Sequence, residues 1–311
     1  MIVVFASSFY PSDRQNDLLY QFLSQSGREF LFINPLDYRN INKIQLISAN
    51  GIVKLYFDRK EVIPKTFFYS RLWRTDCIID FPNNVIYPNI FRQKVNSFLE
   101  EIIFCFKNVK SFPGKYGSLQ LGESKCAVYE LAHSCGLYTP YITTNSFVKP
   151  DFVDYKKVIG FPFSISLNTE IREEVAVTLL NEADSGDADL FGLPWQWQTK
   201  IRPLKHIRCV AVGDKIWAYS LAEEYLNGRS LREAHEEDHV LNWLKESLPA
   251  DVENKLLVLL EKVDLEYSSP EFLVDEDGRY IFTDLNPCGD WFGFSNEEDG
   301  PEIAKEIVSR L

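Results

Sequence analysis

Three side chains near the end of the sequence could together hold a hard cation. Glu271, Asp284 and Asn286 lie in the segment EFLVDEDGRYIFTDLNP, residues 271–287. Apolar runs on either side of Asp277-Gly278 predict a hairpin. Asp284 and Asn286, two apart on a strand, share a face. A turn at Asp277-Gly278 makes Glu271 and Asp284 near cross-strand neighbours. Two carboxylates and an amide oxygen on one face suit Mg²⁺, which shares its shell with phosphate oxygens rather than filling it from protein. An ordinary exposed hairpin face has the same spacing. Arg208 is harder to explain blandly. It stands inside the apolar run IRCVAV, residues 207–212, and a charge there needs a partner.

The elements that must position these groups are legible in outline. Residues 2–6 (IVVFA) form an apolar run of the kind that makes a buried parallel strand. An amphipathic stretch, Leu18 to Leu23, and a second run, Phe30–Ile33, follow. This strand–helix–strand order predicts a small open α/β unit. Residues 44–69 alternate as short strands, 66–74 end in Arg71 and Arg74, 88–107 have a helical pattern, and 110–113 read as a short strand. A helix starts at Lys125 with Ser124 as N-cap and stops at Gly136. Strands are predicted at 138–144, closed by Asn145-Ser146, and at 157–165, 173–180, 195–201 and 207–213. Gly213-Asp214 makes a hairpin turn into KIWAYSLAEE. Helices near 251–263 and over 299–310 complete the chain. The overall class is α/β (α+β).

Composition excludes several alternatives. The 311 residues are 45% hydrophobic and 25% charged, ordinary for a globular protein. No apolar run reaches the roughly 18 residues of a membrane span, so no membrane partner is expected. The N-terminus has no basic region ahead of its short apolar run, unlike a signal peptide. The cysteines (77, 105, 126, 135, 209, 288) stand singly, as free thiols of a reducing cytoplasm do. The net charge of −12 argues against nucleic acid as the main partner. That charge is uneven: residues 1–150 sum to +5 and residues 151–311 to −17. A basic half facing an acidic half could hold a polyanion and a metal between them, although a solvated acidic surface would read the same way.

Four segments, in order, resemble one family. EFLVDEDGRYIFTDLNPCGDW resembles the C-terminal signature of ATP-grasp ligases. The likeness is greatest to the graspetide (microviridin-type) peptide ligases, with the ribosomal-protein glutamate ligases more distant. SFPGKYGSLQLGESKCAVYELAHSCGLYTPYITTNS resembles the family's strand, loop and lysine-bearing helix. LPWQWQTKIRPLKHIRCVAVGDKIWAYSL resembles its nucleotide hinge and following hairpin. FFYSRLWR resembles an aromatic-plus-arginine strand of its N-terminal domain.

The resemblance implies an ATP-grasp fold of three subdomains: an N-terminal α/β domain at 1–115, a central one at 116–192, and a C-terminal one at 193–311 with the metal site. ATP would lie between the last two. It implies ATP and Mg²⁺ as cofactors. Lys125 would reach the phosphates. Trp197, Gln198 and Thr199 would form the adenine hinge, with Lys200 beside them. Arg208 would serve the phosphate and acyl-phosphate region, Glu271, Asp284 and Asn286 would bind metal, and Arg71 and Arg74 would face substrate or nucleotide. Two departures stand out. The carboxylates occur as Glu271 then Asp284, where the family has Asp then Glu. Phe161 occupies the position of a second phosphate lysine, with Lys156 and Lys157 four or five residues earlier. The implied activity is phosphorylation of a carboxylate by ATP, then attack on the acyl phosphate by a hydroxyl or amine. In graspetide ligases this forms ester or amide cross-links in a ribosomally made precursor peptide with acidic core residues. A homodimer is expected. Two alternatives remain open: an amino-acid or small-molecule ligase, and an ATP-grasp-like binding module without turnover.

Overall fold

The structure, a computed structural model, describes residues 1–6, 14–35, 37–70, 88–140, 143–146, 158–162, 195–199, 201, 203–222, 242–292 and 299–311. Arg71, Arg74, Lys156, Lys157, Lys200 and Cys77 lie outside them, as do the strand expected at 173–180 and the side chains of Phe161, Trp197 and Thr199.

The N-terminal apolar runs form a parallel sheet in the order β2 (Phe30–Ile33), β1 (Ile2–Phe5), β6 (Thr66–Tyr69), β7 (Lys110–Phe112). Val3, Phe5, Phe67 and Tyr69 on one side share a core with Val95 and Leu99 of α3 (Pro88–Cys105). Ile2, Val4 and Phe68 on the other side share a second core with Leu19 and Leu23 of α1 (Arg14–Gln25) and Ile303 and Ile307 of α7 (Asp299–Arg310). Burial on both faces is why these strands read as unbroken apolar runs. Helix α2 (Tyr38–Ile41) leads into a separate antiparallel meander of β3 (Ile44–Ala49), β4 (Ile52–Phe57) and β5 (Lys60–Val62).

Next come α4 (Tyr116–Glu123) and α5 (Lys125–Ser134). The sequence signals place α5 but not α4, because Gly117 and Gly122 weaken its helical pattern. Gly122 packs closely: a Cβ there would lie 3.2 Å from Pro287 and 3.4 Å from Leu265. Ser124 is the residue between the two helices, but its hydroxyl makes no capping bond.

A three-stranded antiparallel sheet has the order β8 (Thr143–Ser146), β10 (Trp195–Thr199), β9 (Val158–Pro162). Asn145 and Ser146, read as turn residues, instead pair with Gln196 and Trp195 inside the sheet. The last sheet has the order β13 (Leu244–Glu246), β12 (Lys215–Ala222), β11 (Lys205–Val212), β15 (Glu271–Val274), β16 (Tyr280–Asp284), with β14 (Tyr267–Ser268) also pairing β11. One side of it, through Ile207, Cys209 and Ala211, shares the first core with Leu256 and Leu260 of α6 (Ala250–Val263). The other, through Val210, Val212 and Tyr219, shares the second core with α7.

Candidate active site

The hairpin of β15 and β16 is fixed at its turn by Asp275. Its carboxylate accepts hydrogen bonds from the backbone N–H groups of Asp277 and Arg279, both at 3.0 Å, and from Arg279 Nε at 2.8 Å. The register then runs Val274–Tyr280, Leu273–Ile281 and Phe272–Phe282, but Glu271 pairs with Asp284. Thr283 is therefore an extra residue, a β-bulge. The bulge decides the chemistry. Without it Glu271 would oppose Thr283, and Asp284 would point to the other face of the sheet. With it, both carboxylates stand on one face.

Asn286 arrives by a different route from the one its spacing predicts. The strand ends at Asp284, and Asn286 has φ 44°, in the left-handed region. Its backbone C=O accepts from Ser269 N at 2.9 Å and Gly289 N at 3.3 Å. Glycine is required at 289: a Cβ there would sit 2.4 Å from Ser269 Cβ and 2.9 Å from the Asn286 amide carbon. Asp284 and Asn286 are half-buried, while Leu285 between them is buried.

Arg208, paired in register with Glu271, finds the partner it needs. Its Nη2 lies 3.1 Å from Glu271 Oε1. His206, two residues away on the same face of β11, has Nε2 2.9 Å from Glu271 Oε2. An ionised carboxylate only accepts, so this nitrogen carries the proton. The ring is also held edge-on against Trp243, with centroids 5.9 Å apart. Burial favours the neutral acid of Glu271, but the His206 hydrogen bond and the charges of Arg208, His206 and Lys125 prevail. Its pKa is lowered to about 2.

Lys125, at the start of α5, is not the solvated lysine its position would ordinarily give. Its Nζ lies 3.0 Å from Asp284 Oδ1 and donates to Thr283 O at 2.7 Å. Tyr129, one helical turn on, donates to the same carbonyl at 2.6 Å. Burial disfavours the lysine charge, but Asp284, Tyr129 and Glu271 more than offset it and raise the pKa above the ordinary lysine value. Burial, only partly countered by Lys125, pushes Tyr129 up to about 12, so it remains a neutral donor. Gln198 on β10 is buried with Oε1 3.3 Å from Tyr129 Oη, which ties β10 to the same cluster.

Lys125, Gln198, Arg208, Glu271 and Asp284 thus converge. Trp197 and Thr199 lie on β10 beside Gln198, and Phe161 stands opposite Gln196. His206, Tyr129 and the bulge went unseen in the sequence. The period of two from Arg208 points to His206, and the interval of four from Lys125 points to Tyr129. No local sequence signal marks the bulge.

The donor set fits Mg²⁺. Two carboxylates and one amide oxygen are hard ligands, too few for a complete cage, and basic groups that can serve phosphate flank them. Among the described residues, no group of three or more His, Cys, Asp or Glu side chains could hold a metal by itself.

No family model matches the sequence, and no curated protein matches it. Solved structures do. The macrocyclase MdnC from Microcystis aeruginosa, bound with its precursor peptide MdnA, is 17% identical with TM-score 0.76, over 100% of this chain and 99% of that one. A RiPP-associated ATP-grasp ligase of Chryseobacterium gregarium, in complex with ADP and a leader and core peptide, is 18% identical with TM-score 0.73, over 100% and 97%. D-Alanine–D-alanine ligase from Bacillus anthracis, complexed with ATP, is 10% identical with TM-score 0.53, over 99% and 95%. The chain has the ATP-grasp fold that its motifs imply.

Proposed function

We propose that this protein is an ATP-dependent carboxylate ligase that cross-links acidic side chains of a ribosomally made precursor peptide, forming esters or amides through an acyl phosphate. The observation that carries the reading is the Glu271–Asp284 pair, aligned by the bulge and flanked by Lys125 and Arg208. It sits in a fold whose likeness to two peptide-bound ligases exceeds its likeness to the D-alanine ligase. That ordering favours a peptide over a free amino acid.

The substrate carboxylate attacks the γ-phosphorus of ATP and ADP leaves. A hydroxyl or amine then attacks the acyl carbon, and phosphate leaves with its electron pair while the nucleophile's proton is released. Each cross-link removes one water in sum. Glu271, Asp284 and Asn286 would hold Mg²⁺, which supplies charge neutralisation on the phosphates. Lys125 and Arg208, each now on a carboxylate, are placed to transfer their donors to phosphate oxygens. Arg208, on the strand beside Glu271, is also placed to orient the reacting carboxylate. His206 holds Glu271 from the side away from Arg208 and keeps it ionised. Gln198, Trp197 and Thr199 belong to the hinge strand for adenine, with Lys200 after it, and Arg71 and Arg74 are assigned to the substrate side.

The test is to search the reading frames beside this chain's gene for a short acidic one rich in Ser, Thr or Lys, and to co-express the peptide it encodes. Mass spectrometry of that peptide should show losses of about 18 Da, absent with Asp284→Ala. An unmodified peptide overturns the reading.

A further inference from the structure

Glu271 is held at both oxygens, by residues that differ in what nucleotide does to them. Oε1 lies 3.1 Å from Arg208 Nη2, and Oε2 lies 2.9 Å from His206 Nε2. Arg208 serves phosphate in the ligase reading, so nucleotide draws it off the carboxylate. His206 stays. It is 7% exposed, and its ring packs edge-on against Trp243. Its bond to Glu271 needs only the Nε2 proton, which neutral and charged imidazole can both carry. With nucleotide bound, His206 is therefore the remaining hold on this carboxylate among the described residues, and Oε1 is left for a cation.

That hold depends on the length of the side chain. Arg208 is the register partner of Glu271, but His206 pairs with Leu273 and so lies on the diagonal, where positions are about 7–8 Å apart. The two side chains must lean along their strands to meet. Glu271→Asp would draw the carboxylate back by up to one carbon–carbon bond, about 1.5 Å. A hydrogen bond of 2.9 Å stretched that far is no longer one. Glutamate also has one more rotatable bond than aspartate, and ordering it to meet a cation costs entropy. The same histidine answers both the extra reach and the extra freedom.

We propose that His206 is a positioning residue for a metal ligand: once Arg208 has moved to phosphate, it keeps the Glu271 carboxylate aimed at the Mg²⁺ that ATP brings. This rests on the ligase reading of the site. The test needs no turnover. Affinity for the β,γ-imido analogue of ATP is measured by calorimetry with Mg²⁺ and again with a chelator, and the ratio isolates the share owed to the metal. In wild type Mg²⁺ should tighten binding. His206→Leu should cut that ratio roughly 10- to 100-fold, with the metal-free affinity moving no more than about twofold. His206→Gln, whose amide N–H can reach Oε2, should recover most of the loss. Glu271→Asp should cost about as much as His206→Leu, and the double variant no more than either. An unchanged ratio in His206→Leu overturns this inference alone, as do losses that add in the double variant. Equal loss with and without Mg²⁺ also overturns it, since His206 would then be a strut of the fold. Should His206→Leu fail to fold, Glu271→Asp decides, and an unchanged ratio there overturns the inference. A wild type indifferent to Mg²⁺ overturns the metal site of the ligase reading and this inference with it.

Discussion

At the scale of single residues, the site is a set of compensated charges, and each partner can be removed separately. Asp284 and Asn286 are half-buried, so Asp284→Ala and Asn286→Ala should abolish Mg²⁺-dependent ATP use while circular dichroism stays native. Lys125→Ala and Arg208→Ala each remove a charge-assisted contact of about 1.5–3 kcal/mol, which corresponds to a loss of roughly 10- to 150-fold in ATP affinity or acyl-phosphate formation. Glu271 gives a pH signature. Its pKa is lower in the folded protein than the ordinary 4.5. The stability it contributes is therefore complete above that value and is lost as pH falls towards 2. Glu271→Gln should flatten this part of the stability–pH curve and lower stability at neutral pH, because it leaves Arg208 without its carboxylate. Denaturant titrations at several pH values measure both effects. Glu271 and Asp284 were singled out in the sequence by hairpin spacing and Arg208 as a charge inside an apolar run, whereas Lys125 came only from the family resemblance. His206 was not singled out, because a lone histidine carries no signal until a carboxylate on another strand is known to face it.

At the scale of elements, the sequence predicted the hairpin but not what makes it useful. Alternation along EFLV and YIFTD gives two strands, and Gly278 gives the turn. Nothing local says that Thr283 will be left over, since a bulge is a property of two strands in register. Deleting Thr283 removes the bulge but leaves Asp284 directly after Phe282 and still opposite Glu271, so Mg²⁺-ATP binding, as read by titration calorimetry, should weaken through loss of the carbonyl that anchors Lys125 and Tyr129, whereas Thr283→Ala, which keeps that carbonyl, should bind nearly as wild type. Gly289→Ala should act on Asn286 in a related way. The added methyl has no room beside Ser269 and the Asn286 amide, so Mg²⁺ affinity should fall through displacement of a ligand whose own identity is unchanged. Strand positions were legible elsewhere too, but Asn145 and Ser146 misled, because their turn propensity yields to pairing with β10. Helix α4 was hidden because Gly117 and Gly122 weaken its pattern, Gly122 standing where the helix packs close to Pro287.

At the scale of the whole molecule, two cores each draw residues from both the first 112 positions and the last hundred. Helix α7 has one buried edge, Ile303 and Ile307, in common with the N-terminal strands and the last sheet. It is also tied polar to polar: Arg28 Nη1 donates to Val308 O at 3.1 Å and Lys110 Nζ to Arg310 O at 2.6 Å. Ile307→Ala should cost about 2–5 kcal/mol and lower the melting of the N-terminal sheet and the site together. Calorimetry should show one transition shifting as a unit, and two separating transitions would contradict the shared core. Composition and motif order made the fold class readable, but not this sharing, which depends on contacts nearly the full length of the chain apart.

That sharing has a consequence for how the protein reaches its native state. Helix α1 covers only part of the second face of Ile2 and Val4, and the rest waits for Ile303 and Ile307, some 300 positions along the sequence. Contacts of such separation are formed late and slowly, because closure of the intervening chain must be met before they return any energy. A nascent N-terminal sheet therefore waits with an apolar face open, which makes it a client for chaperones and prone to self-association. Synthesised separately, the segment 1–115 should be recovered mainly in aggregates, and a segment spanning α7 supplied in trans should rescue part of it.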